Sequence, residues 1–308
     1  MKAVLCERYG APEGLVMREV DVPSLRDNDV LIRIRAASAH IGDTRIRRAD
    51  PFLVRLVFGL PRPRKNLILG LEVSGVVSAV GEGVTGFKVG DEVFALTGFG
   101  LGGYAEYISL PEKVKDGTQE RKGLIAMKPG NLTFEEAATV PAACLTVLKN
   151  FQKAGITKGR TILIYGASGS LGTYAIQLAR YYGAEVTAVC SSRNFDLVRR
   201  LGAGTVIDYT TTDIYETEAR YDIVYDAVMK LNKRKCSRLL VSGGIYLNNS
   251  GNPAIVGGDL DFIRELIEGE RLKPVIDRTY ALADVREAHR YVDAGHKIGN
   301  VALTVSEE

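Results

Sequence analysis

The sequence predicts an α/β protein in which a β-rich domain is followed by a doubly wound parallel sheet. Short β-rich runs separated by glycine turns fill the first part of the chain. From about residue 132, buried strands alternate with helix-like segments, as in parallel sheets with right-handed crossovers. A glycine-rich turn between one strand and the next helix, from Gly166 to Gly172, predicts a dinucleotide-binding site.

Composition narrows the class of protein. A chain of 308 residues with 46% hydrophobic and 25% charged residues can bury the cores of two domains. A net charge of +3 gives little attraction for nucleic acid, so a small-molecule partner is expected. No run reaches the ~18 apolar residues of a membrane span. The four cysteines follow no disulfide or metal spacing, so we expect a cytoplasmic protein with reduced thiols.

The β-rich domain is predicted from strands and tight turns. Residues 30–35 alternate as a strand with one polar face, residues 81–83 form a turn, and residues 89–94 form a turn that leads into a strand. The last strand, residues 300–305, is expected to return to this domain without a parallel partner.

The second domain is predicted from capping signals and buried strands. Thr133 with Glu136 forms a capping box before a helix over 137–154. A helix over about 260–267 stops at Gly269, and a second capping box, Asp284 with Glu287, opens a later helix. The predicted strands of the parallel sheet are 161–165, 185–189, 205–207, 222–225 and 244–247.

The turn has the residues that a pyrophosphate requires. Small side chains let the backbone approach the ligand, and free N–H groups at a helix start favour its negative charge. About 20 residues further on, NAD-specific domains present an acidic residue. Here Ser191, Ser192 and Arg193 offer hydroxyls and a guanidinium, which suit the extra phosphate of NADP. The sequence therefore predicts NADPH; the alternative is that Arg193 is only a solvated residue at a helix start.

Several separate motifs make the chain resemble the zinc-free quinone oxidoreductase branch of the medium-chain dehydrogenase/reductase superfamily. They are MKAV at 1–4, GLEVSGVV at 70–77, GDEV at 90–93, GYAEY at 103–107, PAACLT at 141–146, the 166–172 turn and LGA at 201–203. The resemblance implies a GroES-like β-barrel catalytic domain over 1–131 and 270–308 and a Rossmann domain over 132–269. It also implies hydride transfer from NADPH to an apolar quinone or the carbon–carbon double bond of an enone.

The resemblance also supplies site residues. His40 replaces the asparagine of a nicotinamide-pocket motif and is a candidate donor to the substrate oxygen, and Tyr104 is a candidate proton source. Asp43 and Arg47 match the motif. On a helical turn, however, their (i, i+4) spacing would suit a structural ion pair equally well. The predicted cofactor-binding residues are Thr146, Gly166, Ala167, Ser168, Gly169, Ser170, Leu171, Gly172, Ser191, Ser192, Arg193, Tyr209, Gly243, Gly244 and Asn300.

The zinc-binding members of the superfamily provide a contrast. Where they place zinc ligands, this chain has His40, Leu71 and Ala142, and a four-cysteine zinc lobe is missing. The sequence therefore predicts no metal site and disfavours an alcohol dehydrogenase. The other alternative is an NADPH-binding regulatory or interaction protein with little turnover, because a fold does not guarantee its chemistry.

Two segments depart from the usual pattern. Residues 45–65 contain seven basic residues interspersed with large apolar ones. This segment could pack on the domain with its charges in solvent, cover an apolar substrate as a lid, or touch a membrane surface. Only the ten residues 249–258 separate the fifth predicted strand of the parallel sheet from the following helix, whereas a parallel crossover needs roughly a dozen or more. A sixth strand is therefore not expected. In similar proteins that strand forms the dimer edge, so a monomer or a differently paired dimer is predicted.

Overall fold

The computed structural model describes residues 1–250 and 255–306, and the chain divides into two compact units. The first unit contains Met1–Ala142, Ile255–Glu268 and the described residues from Ile276 onward. The second contains residues 143–250 and Gly269–Val275. None of the helices in the described residues is long and apolar enough to span a bilayer.

The first unit is mainly β-sheet. Its strands are β1 (Lys2–Cys6), β2 (Leu15–Glu19), β3 (Asp29–Ser38), β4 (Glu72–Val80), β5 (Glu92–Leu96), β6 (Tyr107–Pro111), β7 (Leu124–Met127), β13 (Ile276–Ala281) and β14 (Asn300–Thr304). Its helices are α1 (Ile41–Arg48), α2 (Val54–Phe58), α3 (Gln119–Lys122), α4 (Phe134–Ala137), α9 (Asp259–Glu268) and α10 (Val285–Asp293).

The sheet of the first unit is open. Its strands run in the order β13-β14-β3-β4-β5-β7, β6 also pairs with β3, and β1 and β2 form a separate hairpin. The ten-residue β3 is long enough for β6 to pair with its first half and β14 with its last three residues. Because β13 and β7 remain at the two ends, the predicted closed barrel is not found among the described residues.

The second unit is a parallel sheet flanked by helices. Helix α5 (Pro141–Ala154) leads into it, and its further elements are β8 (Thr161–Tyr165), α6 (Ser170–Tyr181), β9 (Glu185–Cys190), α7 (Phe195–Leu201), β10 (Thr205–Asp208), β11 (Tyr221–Asp226), α8 (Lys233–Cys236) and β12 (Leu240–Asn248). All pairs in the order β10-β9-β8-β11-β12 are parallel, which is the doubly wound order without a sixth strand among the described residues.

Local features predicted from the sequence can be compared with the structure one by one. The Thr133–Glu136 capping box is confirmed, but the helix behind it breaks into α4 and α5 because Pro141 can only begin a helix. The prediction of a second capping box was wrong, because the Asp284 side chain makes no capping hydrogen bond. The last strand was wrongly expected to lack a parallel partner: β14 pairs with β13 as well as with β3. Helix α9 follows the parallel-sheet strands in sequence but packs against β7 of the first unit.

Candidate functional site

The predicted turn connects β8 to α6 at the carboxyl edge of the parallel sheet. Gly166 has φ +79°, and a Cβ there would lie 2.5 Å from the Val228 side chain. A Cβ on Gly172 would lie 2.3 Å from the carbonyl oxygen of Gly166 and 2.6 Å from the backbone of Ala167. Strand and helix thus approach too closely for any side chain at Gly172. Gly169 begins α6 without a side-chain cap, as a turn that receives an anion requires.

A buried asparagine joins this turn to the end of β9. The Nδ2 atom of Asn194 donates to the hydroxyl of Ser168 at 2.9 Å and to the hydroxyl of Ser191 at 3.4 Å. Asn194 is 5% exposed, so both hydroxyls are fixed by a rigid group. Asn194 was not among the residues predicted from the sequence, although its place directly after the predicted specificity residues was an available signal.

The segment after β9 places two predicted residues at the surface beside a carboxylate. Ser192 and Arg193 are exposed, and the backbone N–H of Ser192 donates to Asp208 at 3.1 Å. Hydrogen bonds from Thr210 and then from Ser192 hold the pKa of Asp208 below its usual range. Sequence analysis also missed Asp208, whose oxygens are occupied in shaping this turn.

Three other predicted cofactor residues lie in different surroundings. Tyr209 is half exposed, and its ring centroid lies 6.2 Å from that of Tyr165 at the end of β8. Thr146 is half-buried on α5, in the second unit. Asn300 is buried at the start of β14, in the first unit. The role of each in binding stays a prediction.

The predicted glycines of the fifth strand lie inside β12. Gly243 and Gly244 fall in an irregular register between the pairs Tyr221–Leu240 and Ile223–Ile245. Parallel sheets bind ligands at their carboxyl edge, and the contact of Gly243 and Gly244 with nicotinamide stays a prediction. Asn248 ends β12 at the carboxyl edge, and Asn249 follows it.

Asn249 is held in place at that carboxyl edge. Its Oδ1 accepts from the hydroxyl of Tyr225 at 2.7 Å, and its Nδ2 donates to the carbonyl of Ala227 at 3.0 Å. Neither asparagine was predicted as a site residue. The available signal was their position at the end of the predicted fifth strand, because the carboxyl ends of parallel strands are where ligands bind.

In the first unit, His40 begins α1 and is oriented by its own helix. Its Nδ1 accepts from the backbone N–H of Gly42 at 3.0 Å, and its backbone N–H donates to Asp43 at 3.3 Å. Burial, followed by the positive charges of Lys297 and Arg45, lowers the pKa of His40 to about 3. The imidazole is therefore neutral, and because Nδ1 accepts a hydrogen bond, Nε2 carries the proton and is a donor.

Asp43 and Tyr104 belong to a fully buried hydrogen-bond chain. Arg47 Nε donates to His289 Nδ1 at 3.1 Å, so His289 Nε2 carries the proton and donates to the Tyr104 hydroxyl at 3.0 Å. The Tyr104 hydroxyl in turn donates to Asp43, which also accepts from the backbone N–H of Gly70 at 2.8 Å. Because Tyr104 is 0% exposed, its hydroxyl serves this chain rather than a solvent-facing pocket.

The structural alternative for Asp43, an (i, i+4) ion pair with Arg47, is not formed. The Arg47 guanidinium pairs with Asp293 and donates to the carbonyl of Gly10, and it does not pair with Asp43. Burial raises the pKa of Asp43 to about 7, against the lowering effect of its hydrogen-bond donors. Burial together with the nearby Asp43 raises the pKa of Tyr104 well above its usual value.

A second polar group near His40 was not predicted at all. Glu72 is 1% exposed and accepts from the Ser38 hydroxyl at 2.5 Å and from the backbone N–H of Ala142 at 2.7 Å. Burial raises the pKa of Glu72 to about 7 and lowers that of Lys297 to about 8, while the charges of the two groups act on each other. The Lys297 ammonium also donates to the carbonyl of Gly299.

The donor set of this region does not fit zinc. The described residues contain no group of three His, Cys, Asp or Glu side chains able to hold a metal ion. Leu71 and Ala142, at two of the ligand positions of zinc relatives, have no metal-binding atoms in their side chains. His40 and Glu72 alone would leave a site two ligands short, so no step of the chemistry is assigned to zinc.

The buried imidazole of His289 predicts a specific pH dependence of stability. Burial lowers the pKa of His289 to about 3 in the folded protein, against an ordinary value of 6.5. The unfolded chain therefore binds the extra proton first, and stability is lost as pH falls from about 6.5 toward 3. In urea unfolding over that range, His289→Gln is expected to reduce the slope by up to about 1.4 kcal/mol per pH unit.

The matched control is His296→Gln at an exposed histidine, which is expected to leave the slope unchanged. Asp43 and Glu72 act with the opposite sign, because their folded pKa values of about 7 exceed the ordinary ones and their contribution is lost as pH rises through 7. Equal slopes for His289→Gln and the parent would contradict a neutral, hydrogen-bonded His289.

Family comparisons agree with this geometry. The family "Alcohol dehydrogenase GroES-like domain" matches residues 26–150, and "Zinc-binding dehydrogenase" matches residues 246–303. The chain is 33% identical to a 2-methylene-furan-3-one reductase of Solanum lycopersicum over 98% of its length and 79% of the relative. It is 32% identical, with the same coverage, to a chloroplastic NADPH-dependent alkenal/one oxidoreductase of Arabidopsis thaliana. The quinone oxidoreductase of Coxiella burnetii superposes with a TM-score of 0.85 at 25% identity over 99% of both chains.

A GroES-like unit combined with a doubly wound dinucleotide unit defines an oxidoreductase that uses a nicotinamide cofactor. Within that class, the chain belongs to the medium-chain dehydrogenase/reductase superfamily and to its quinone oxidoreductase branch.

Proposed function

We propose that the protein transfers hydride from NADPH to a quinone or to the activated double bond of an enone. The observation that carries the proposal is the turn from Gly166 to Gly172, too tightly packed for a side chain at either of these two glycines, with the hydroxyls of Ser168 and Ser191 fixed beside it. The named activities of the tomato and Arabidopsis relatives support the same class of acceptor.

The cofactor supplies the hydride, and the protein binds and orients it. The turn from Gly166 to Gly172 would hold the pyrophosphate on the backbone N–H groups at the start of α6, and Ser191, Ser192, Arg193 and Tyr209 would hold the adenosine phosphate. Thr146, together with Asn248 and Asn249 at the carboxyl end of β12, would face the nicotinamide. Asn300 is proposed as a further cofactor contact, because the resemblance to the family implies that role.

The chemistry on the acceptor needs only a donor to its oxygen. Hydride addition to a conjugated carbon delivers the developing charge to the carbonyl oxygen. The neutral His40, with Nδ1 occupied by Gly42, presents Nε2–H for that purpose at any pH well above 3. Asp43 positions His40 through its backbone N–H, and the buried Tyr104 orients Asp43. Because this polarisation needs no metal, we propose a zinc-free enzyme and do not favour alcohol oxidation.

The cofactor preference is tested by removing the guanidinium proposed to face the extra phosphate. Arg193→Gln is expected to raise the KM for NADPH by about 10- to 100-fold, the value of one charge-assisted pair, and to leave NADH kinetics unchanged. Arg199→Gln, at another exposed arginine of the same unit, is the control and should change neither. Equal use of NADH and NADPH by the parent enzyme would overturn the assignment.

Compartment and assembly are part of the same proposal. The four cysteines are buried and none of them forms a disulfide, and burial raises the pKa of Cys6 and of Cys190 to about 11. Such inert thiols suit a reducing compartment, and we place the protein in the cytoplasm. Because β12 ends the parallel sheet in the described residues, we propose a monomer or a dimer that does not pair through this edge.

A further inference from the structure

The segment after α1 exposes an unusual set of large apolar side chains. Phe52, Leu53, Leu56, Val57 and Leu60, hereafter the apolar tip, are each between 54% and 66% exposed. They lie on and around the short helix α2. Five protruding side chains within nine residues form a patch, whereas scattered exposed leucines would need no explanation.

The apolar tip is held by a firm anchor. Phe58 on α2 is buried in the core of the first unit, and Val54 packs against the same core. The Tyr9 hydroxyl donates to the carbonyl of Gly59 at 3.0 Å. The Arg55 guanidinium lies 5.0 Å from the centroid of the Tyr9 ring. Helix α2 therefore packs one apolar side inward and presents another outward.

Basic residues flank the apolar tip along the chain. Residues 45–65 contain seven basic residues and one acidic residue, Asp50. Arg45, Arg62, Arg64 and Lys65 are exposed. Arg47 is buried with Asp293 and takes no part in this surface, and Asp50 lies 3.7 Å from Arg48. The chain as a whole carries only +3, so the positive charge is concentrated where the apolar side chains protrude.

We propose that the apolar tip inserts into the surface of a bilayer that contains anionic phospholipids. Apolar side chains flanked by lysine and arginine enter the boundary between acyl chains and headgroups, and the cations gain from the negative surface potential. A second copy of this chain is a poorer occupant, because two-fold pairing of the tips would bring their cations together. The proposal does not depend on the hydride-transfer activity.

Sedimentation with vesicles tests this surface. The 308-residue chain is mixed with vesicles of phosphatidylcholine alone and with vesicles that also contain phosphatidylserine. We expect binding to the second kind only, weakened by added salt. Leu56→Ser with Val57→Ser, and separately Arg62→Gln with Lys65→Gln, are each expected to reduce the bound fraction at least tenfold.

Matched controls use exposed residues of the same kinds elsewhere. Val22→Ser with Val89→Ser removes two exposed valines, and Lys153→Gln with Lys233→Gln removes two exposed lysines; both should bind as the parent does. Unchanged thermal unfolding of all four variants shows that the fold is kept. Parental binding by the tip variants, equal binding to both vesicle types or no binding by the parent would overturn the proposal. So would self-association that the tip variants abolish, since it would assign the surface to a second copy.

The outcome is separable from that of the proposed function. Turnover of a water-soluble quinone without vesicles tests hydride transfer alone, and it should be the same in the parent and the tip variants. Absence of that turnover with intact vesicle binding would reject the proposed function and keep the docking surface.

Discussion

Gly172→Ala is expected to lower the free energy of unfolding by about 1–3 kcal/mol and to weaken NADPH binding at least about tenfold. The added Cβ would lie 2.3 Å from the carbonyl oxygen of Gly166, and the atoms it meets are backbone that cannot rotate away. Either the helix start moves from the strand or the turn changes shape, and both displace the N–H groups proposed to bind the pyrophosphate. Urea unfolding and fluorescence titration with NADPH measure the two effects.

Gly169→Ala is the matched control in the same turn. Its Cβ would meet only the carbonyl oxygen of Gly166, at the ordinary contact distance of 3.4 Å, and its φ of −81° suits any residue. Stability should therefore change little. If Gly172→Ala bound NADPH as tightly as Gly169→Ala does, close packing of strand and helix would not be what shapes the cofactor site.

Arg47→Met is expected to lower the free energy of unfolding by about 3–5 kcal/mol, the usual cost of breaking a buried pair. Arg47 is 1% exposed and is bound to Asp293, to the carbonyl of Gly10 and to His289. Removing the guanidinium leaves three buried or half-buried acceptors without their donor. Because His289 orients Tyr104 and Tyr104 orients Asp43, turnover should also fall in the protein that remains folded.

Arg45→Met, two residues earlier on the same helix, is the control. Arg45 is exposed, so its loss should change stability by no more than about 0.5 kcal/mol. Comparable losses in the two variants would mean that the chain from Arg47 to Asp43 does not stabilise the fold as its geometry implies.

Sequence analysis could predict the parts of the site made by neighbouring residues. The turn from Gly166 to Gly172, the capping box of α4 and the residues after β9 are all local patterns whose physics operates within a few positions. The five strands of the parallel sheet followed from their apolar runs for the same reason. The structure confirms the parallel sheet and the turn at its carboxyl edge.

Contacts between distant positions could not be predicted in this way. The spacing of Asp43 and Arg47 suggested a helical ion pair, whereas Arg47 bonds to residues 242 and 246 positions away. Nothing in a single sequence signals that His289 will complete such a chain. The contact of Ser38 with Glu72 and the effect of Lys297 likewise depend on how the strands of the open sheet pair.

The fifth strand of the parallel sheet begins earlier than the sequence predicted. Gly-Gly near a strand suggests backbone close to a ligand, and β12 begins at Leu240, before the predicted strand. The glycines therefore fall in a register irregularity inside the strand, and their contact with nicotinamide stays a prediction.

The most direct test of hydride transfer follows the label. NADPH deuterated at C4 of the nicotinamide is incubated with the enzyme and a short enone, and the product is analysed by mass spectrometry. We expect one deuterium at the β-carbon, from one face of the nicotinamide only, and loss of turnover when His40 is replaced by alanine. Tight NADPH binding with no labelled product from any enone and no oxidation of NADPH by any quinone would contradict the proposed reaction and leave a protein that only binds the cofactor.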